Sequence, residues 1–302
     1  MKILSKLHEK LHNNDFAVTG ECGPPRGANR EVIDKKINLL KNSVDAVNVT
    51  DNQTAIVRMS SIAASAHLVS AGLEPVMQMV VRDRNRIAIQ SDIMGAYSLG
   101  IRNILCLSGD HQKFGSQPDA MNVFDIDSVN LLRVVRDMRD TGKDMSGFDL
   151  DLAPKMFIGA AANPFADPFE YRVLRLAKKI DAGADFIQTQ CIYNMDRFKE
   201  WIRRAREEGL TKDVYILGGV TPLRSVGMAR YMDNKVAGMD IPENIIKRMD
   251  GVDKKNQARE GIKICLETIE ELREMDGVHG VHIMAIEWEE AVADIVEQAG
   301  LK

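Results

Sequence analysis

Four side chains able to move a proton or read the polar edge of a ligand stand just after short apolar runs. Glu21 follows the stretch around Phe16–Val18, Asp110 follows Ile104–Leu107, and Gln188 and Gln190 follow Ala184–Ile187. A carboxyl group can hold or release a proton, and a carboxamide both donates and accepts hydrogen bonds. If the apolar runs are parallel strands, these groups emerge at the carboxyl ends, where an α/β fold places its ligand. Three remote segments then converge on one candidate pocket.

Other chemistry is sparse. Cys22, Cys106, Cys191 and Cys265 are widely separated, and the six histidines form no HExxH arrangement. No zinc or iron–sulfur signature is present, so no metal site is expected. Cys22 adjoins Glu21, but no pattern nearby supplies a base to activate it, and it reads as a small residue shaping the first loop. Met77, Met79 and Met284 read as adaptable core packing. The glycines form no GxGxxG fingerprint, so a bound nucleotide would have to be held by loops of another kind.

The elements that must position these groups alternate. Strands are predicted at Phe16–Glu21, Val44–Val49, Pro75–Val81, Ile104–Leu107, Met156–Ala161, Ala184–Gln190, Asp213–Leu217 and Gly280–Ala285. Helical spacing falls at Arg30–Lys41, Thr54–Ser70, Arg86–Leu99, Asp127–Asp140, Pro168–Ile180 and Arg197–Glu208. It resumes after Pro222, at Ile241–Arg248, Lys255–Arg273 and Glu289–Gln298, and Met1–His12 has amphipathic helical character. The Gly218-Gly219 pair reads as a break after the seventh strand. Nearly eight strand–helix units fit an α/β fold of the (β/α)8 TIM-like barrel type, with an open doubly wound sheet as the competitor. No linker divides the chain, so residues 1–302 are expected to form a single barrel with an N-terminal helix and extra helices before the last strand.

At 302 residues the chain is long enough for a substantial core. Its 40 basic and 44 acidic residues give a net charge of -4, which argues against a broad nucleic-acid surface. No apolar stretch is long enough to span a membrane, and no secretory core with a cleavage site follows the start. A cytoplasmic protein with reduced cysteines is expected.

Read in order, several fragments resemble the methylenetetrahydrofolate reductase family along nearly the whole chain. They are Glu21-Cys22-Gly23-Pro24-Pro25-Arg26, Asn48-Val49-Thr50, Ser108-Gly109-Asp110, the run Asp181–Gln190, Ile216–Pro222 and Gly280-Val281-His282. The resemblance implies a flavin-bearing barrel that reduces the methylene group of 5,10-methylenetetrahydrofolate to methyl. FAD is the first expectation and FMN the second, and the electron donor is NAD(P)H or a protein. A homo-oligomer or a redox-enzyme complex is the expected setting.

The resemblance carries over residue by residue. Glu21 matches the family's acidic residue near the folate, which would need a raised pKa to act as an acid. Asp110 matches the acidic residue of an Arg-Gly-Asp-like turn, here Ser108-Gly109-Asp110, where it would tune the flavin and contact the pterin while Gly109 permits close backbone approach. Gln190 matches the glutamine associated with the folate ring, and Thr50 and His282 are further substrate-positioning candidates. Gln78, Asn163, Lys179 and Asp185 lie in segments that resemble cofactor contacts, with Lys179 suited to a phosphate. Each has a plainer alternative: a loop cap for Glu21, an Asx turn for Asp110, a backbone-tied strand-end amide for Gln190, a core-edge histidine for His282, and a solvated helix lysine for Lys179.

Two departures stand out. The loop Ala162–Pro168 lacks the expected histidine, which leaves FAD and FMN both open, and Glu287-Trp288 stands where Asn-Arg is usual. Two rival readings therefore stay in view. One is a folate-binding methyltransferase or methyl carrier, and the other is a redox or assembly subunit that needs a partner for electron entry.

Overall fold

The computed structural model describes residues 2–302. Helix α1 (Lys6–His12) precedes the first strand. Eight parallel strands follow: β1 (Ala17–Cys22), β2 (Ala46–Val49), β3 (Pro75–Val80), β4 (Asn103–Leu107), β5 (Phe157–Ala162), β6 (Phe186–Cys191), β7 (Tyr215–Val220) and β8 (Gly280–Ile283). They pair in chain order, and β8 returns to β1 to close a barrel. Helices α2 (Arg30–Leu40), α3 (Ser61–Ser70), α4 (Arg86–Ser98), α5 (Ser128–Thr141), α6 (Tyr171–Asp181) and α7 (Met195–Glu207) follow the first six strands in turn. Between β7 and β8 lie α8 (Val226–Lys235), α9 (Glu243–Asp250) and α10 (Gln257–Arg273), and α11 (Glu290–Gln298) follows β8. This is the (β/α)8 barrel that the sequence rhythm predicts. Among the described residues no helix is long and apolar enough to cross a membrane.

Local chemistry sets the helix ends. Asn85 opens α4 by accepting from the N–H groups of Ile87 and Ala88, and Asp127 opens α5 by accepting from Asn130. Such caps satisfy donors that the first turn leaves free. Gly142, at φ +68°, stops α5 in the left-handed conformation that glycine adopts without strain.

The strands bury both faces, which is why they read as nearly continuous apolar runs. Val18, Val47, Met77, Ile104, Ile158, Ile187, Ile216 and Val281 pack outward against helical side chains such as Leu131, Leu132 and Val135 of α5. Ala17, Ala46, Val76, Leu105, Phe157, Phe186 and Leu217 form a separate inner floor, filled from beneath by Leu7 and Leu11 of α1. Glu74 anchors α1 by accepting from the N–H groups of Lys6 and Leu7 at 3.0 and 2.9 Å, and it also accepts from the Asn103 amide at 2.9 Å. The imidazole of His8 stacks on Phe157, and Phe157 stacks on Phe186. Protein therefore closes the amino end of the tube, and the carboxyl end is left for a ligand.

Several boundaries shift by a few residues from the sequence reading, and three differences bear on the packing or the site. The helix expected over Thr54–Ser70 begins only at Ser61. Asn52, Thr54 and Ala55 hold positive φ values in and beside a short 3₁₀ turn, and the Ala55 carbonyl accepts from Ser116 on the long β4–α5 connection. Gly218 and Gly219 do not end β7, which runs through them to Val220. A Cβ on Gly219 would lie 2.3 Å from the Thr189 carbonyl oxygen, so these glycines serve close packing rather than a turn. The last strand stops at Ile283, not Ala285.

The floor is tight at Gly159, where an added Cβ would lie 2.3 Å from Cζ of Phe186, a ring already held by stacking. Gly159→Ala is expected to destabilise the fold by about 1–3 kcal/mol through overpacking. A denaturant midpoint equal to that of the parent would show that the floor repacks freely.

Candidate active site

A buried polar layer lies above the apolar floor. Strand alternation turns Ala17, Thr19 and Glu21 of β1 inward in succession, and the β1–β8 register sets His282 beside Thr19. Asn48 of β2 and Gln188 of β6 meet across the full width of the barrel through reciprocal amide bonds of 2.6 and 3.0 Å. The same Gln188 amide donates to the Thr19 hydroxyl at 3.1 Å, and Thr19 Oγ1 lies 2.9 Å from His282 Nδ1. All four residues are almost fully buried. Burial holds the His282 imidazole down to about pKa 4, so it is neutral at physiological pH.

Glu21 stands one step nearer the mouth. Its side chain is 13 % exposed, with Oε2 4.0 Å from His282 Nε2. Desolvation raises its pKa to about 7, Glu289 pushes in the same direction, and Lys36 opposes both. Lys36 and Glu289 themselves form an ion pair. A carboxyl group poised near neutrality can deliver or accept a proton. The neighbouring Cys22 thiol is pushed up to about 12, chiefly by burial, and stays protonated.

Glu21, Gln188, Gln190 and His282 line a cavity of about 450 Å³. Leu105, Leu107, Ala161, Ala162, Leu176 and Met284 supply its apolar surface, and Gln78, Asn163 and Thr189 its other neutral polar groups. Three cations from α6 complete it: Arg172, Arg175 and Lys179. Their spacing of three and four residues places them on one helical face. Among the described residues none of the three has a carboxylate partner. Arg172 donates to the Pro168 carbonyl and Lys179 to that of Ala161. Burial and the two arginines lower the Lys179 pKa to about 8. Unpaired cations beside an apolar wall suit an anionic, phosphate-bearing ligand with a flat hydrophobic part.

The loops at the rim rest on a second polar framework. Arg82, almost fully buried, pairs with Asp83 and donates to the Asp110 carbonyl at 3.0 Å. Arg84 bridges buried Asp51 and Asp92 at 2.7 and 2.9 Å.

Of the residues singled out from sequence, Glu21, Gln78, Asn163, Lys179, Gln190 and His282 meet in this cavity. Gly109 and Asp110 lie on the turn after β4, beyond the cavity walls. Gly109 has φ +87°, and the Asp110 side chain is exposed. Thr50 is buried just after β2, and its hydroxyl has no hydrogen-bond partner. Asp185 is not brought to the mouth. It precedes β6 at the opposite end of the strand, where it pairs with Arg139 at 2.6 Å and accepts from the Ile158 N–H. Glu287 is exposed on the turn after β8, and Trp288 lies beneath the guanidinium of Arg224.

Sequence reasoning passed over Arg172, Arg175, Thr19 and Asn48. The helical spacing of the two arginines with Lys179 was a usable signal. So was the period of two that sets Thr19 on the same face as Glu21. Asn48 stands in a fragment that carries the resemblance, but nothing local marks its pairing, because its partner is 140 positions away.

The fold and site thus define a (β/α)8 barrel with an acidic residue at the inner edge of its mouth and a cationic wall opposite. The profile of the methylenetetrahydrofolate reductase family matches residues 6–300, and the chain belongs to that family. A probable methylenetetrahydrofolate reductase (NADPH) of Caenorhabditis elegans is 24% identical over 256 residues, which cover 83% of this chain and 36% of the nematode protein. The 5,10-methylenetetrahydrofolate reductase of Escherichia coli is 24% identical over 233 residues, covering 76% of this chain and 72% of that protein. The matched part is thus only about a third of the nematode relative's length, and the fungal relatives behave alike. Among solved structures, a Clostridium thermocellum protein described as binding two copies of 5-methyl-5,6,7,8-tetrahydrofolic acid superposes with a TM-score of 0.66 at 17% identity. The alignment covers 97% of this chain and 100% of that one, and it shows a shared fold.

The raised pKa of Glu21 ties stability to pH. A carboxyl that binds its proton more tightly folded than unfolded adds stability that is complete below the unfolded value near 4.5 and lost as pH rises through about 7. Glu21→Gln removes this term. The variant is expected to gain on the parent between these pH values, levelling off above pH 7 at about 3 kcal/mol. Parallel denaturation curves at pH 5 and pH 8 check this, and an unchanged difference would place the Glu21 carboxyl in water.

Proposed function

We propose that this barrel reduces the methylene group of 5,10-methylenetetrahydrofolate to methyl, with a flavin in the mouth cavity. The carrying observation is the pairing of Glu21, poised to exchange a proton near neutral pH, with three cations that have no carboxylate partner among the described residues across an apolar cavity. Family membership and the folate described for the C. thermocellum protein support the substrate class.

The residues present fit a flavin. Lys179, Arg175 and Arg172 would hold its phosphates, and the reach from the first to the last along α6 is about 10 Å. That span suits the diphosphate of FAD better than the single phosphate of FMN. Leu105, Leu107, Ala161 and Ala162 offer a wall for a planar ring, with Gln78 and Asn163 as polar contacts. When bound, the flavin would supply the hydride, and NAD(P)H or a protein would be the electron donor. Glu21 holds a proton at its carboxyl and delivers it to the folate nitrogen whose bond to the methylene carbon opens. Gln190 donates to and accepts from the pterin edge. Thr50 and Asp110 position ligands at the rim, where the Thr50 hydroxyl is unclaimed and Gly109 lets the backbone come close. Asp185 has no part in this scheme, because Arg139 occupies its carboxylate at the other end of the barrel.

The test begins with protein purified without added flavin, its released cofactor identified by mass spectrometry and visible spectrum. Chemical reduction followed by methylenetetrahydrofolate should give reoxidised flavin and methyltetrahydrofolate. No turnover after reconstitution with both FAD and FMN would favour a folate carrier. Glu21→Gln is expected to retain cofactor while the folate half-reaction slows by at least about 100-fold. Arg175→Met combined with Lys179→Met should instead lower cofactor retention. An undiminished half-reaction in the first variant, or undiminished retention in the second, would overturn the role assigned to those residues.

A further inference from the structure

The polar layer beneath Glu21 contains more order than core packing requires. Both hydrogens of the Gln188 amide are committed, one to Asn48 Oδ1 at 3.0 Å and one to Thr19 Oγ1 at 3.1 Å. The Thr19 hydroxyl therefore accepts from Gln188 and has one hydrogen of its own to give. Two acceptors are in reach: His282 Nδ1 at 2.9 Å and the Val281 carbonyl at 3.4 Å. The 2.9 Å contact exists in either tautomer, so the donor is decided by what the other arrangement leaves the hydroxyl. That is only the 3.4 Å path to Val281, which is long for a hydroxyl hydrogen bond, and we take Thr19 as the donor to Nδ1. His282 is neutral, so accepting at Nδ1 leaves its single N–H on Nε2. That atom is the one facing Glu21, 4.0 Å from Oε2. At 4.0 Å the two atoms are in electrostatic contact, short of a hydrogen bond.

We infer that His282 is a positioning residue whose Nε2–H, fixed by the chain Asn48–Gln188–Thr19, faces the Glu21 carboxylate and sets how readily that group gives up its proton. The inference rests on the reading of Glu21 as the proton donor. It also reassigns His282, which the sequence suggested as a substrate contact, to a role exerted through Glu21.

The direction of the effect follows from the donor. Burial favours the neutral carboxyl, and an N–H aimed at the ionised form acts against that bias and lowers the proton affinity of Glu21. The other groups bearing on Glu21 are Lys36 of α2, Glu289 beside α11, Cys22 of its own strand and Cys191 of β6. Lys36 and Glu289 neutralise one another as a pair, and burial keeps both thiols protonated. None of these supplies a neutral donor directed from inside the barrel.

The test needs neither flavin nor folate. In protein carrying 15N-histidine and 13Cδ-glutamate, NMR reads the tautomer of His282 and the titration midpoint of Glu21, the latter assigned by its loss in Glu21→Gln. The parent should show a bare Nδ1 and a protonated Nε2. His282→Gln keeps an N–H donor close to the Nε2 position, and His282→Met fills similar space without one. The glutamine variant should hold the Glu21 midpoint near that of the parent. The methionine variant should raise it by about one pH unit, a tenfold gain in proton affinity. Thr19→Val should abolish the single tautomer. A protonated Nδ1 in the parent, or equal midpoints in the glutamine and methionine variants, would overturn the inference. If either His282 variant fails to fold, the parent tautomer and the Thr19→Val result decide it.

In enzyme loaded with reduced flavin, the folate half-reaction should decline with rising pH through the Glu21 midpoint, and His282→Met should move that decline upward by the same unit. Coupling seen by NMR without folate turnover would sink the reductase reading alone. Turnover with an unmoved pH profile would sink the role of His282 alone.

Discussion

The amide pair between Asn48 and Gln188 is the constraint around which the interior is arranged. These residues belong to strands on opposite sides of an eight-stranded barrel, and they meet only because the sheet closes with the correct stagger. A slip of one residue in either strand would turn an amide outward into the helical layer, where no partner waits. A buried amide without partners costs about 1–3 kcal/mol. The pair therefore fixes register as well as occupying space. Everything nearer the mouth inherits its position from it, including Thr19, His282 and the Glu21 carboxyl one step above.

Seen along its axis, the barrel interior changes character by layers. Aromatic and aliphatic side chains form a dry floor, four hydrogen-bonded polar groups form the middle, and the mouth mixes one acid, apolar walls and a row of cations. The gradient is functional in a physical sense. The floor keeps water from the polar layer, which makes its hydrogen bonds stronger and its geometry firmer. The mouth stays open enough to admit a ligand, while Glu21 remains sheltered enough to keep its unusual affinity for a proton. The cations at the far wall are spread along one helix, so they can grip an extended anion without approaching the acid.

Much of this was legible in the sequence, and the limits have physical causes. The alternation of short apolar runs with helical spacing carries the barrel, because a strand buried on both faces has few polar positions to confuse the pattern. Glu21, Gln190 and Lys179 could be singled out because each belongs to a fragment with a family resemblance. The Gly218-Gly219 pair misled, since a glycine needed for close packing inside a sheet looks the same as one needed for a turn. The segment from Thr54 to Ser60 misled for a different reason. Its helical composition is overridden by contact with the loop around Ser116, a partner some sixty residues away. Asp185 shows the reverse error. The predicted strand Ala184–Gln190 already set this carboxylate near its amino end, and it was the segment's resemblance that put it among cofactor contacts, whereas position along a strand decides which end of a barrel a side chain serves.

Closure of β8 onto β1 has a consequence for how the protein comes into being. Thr19 and His282 are 263 positions apart, so their contact is among the last that a growing chain can make. Contacts of such long range form slowly, because the intervening chain must be ordered or looped first. In the unfolded chain Glu21 is an ordinary carboxylate with water around it and no reason to keep its proton. Its raised proton affinity thus comes with burial in the closed barrel. A chain stalled short of that step would carry every residue of the first seven strands and still lack the site.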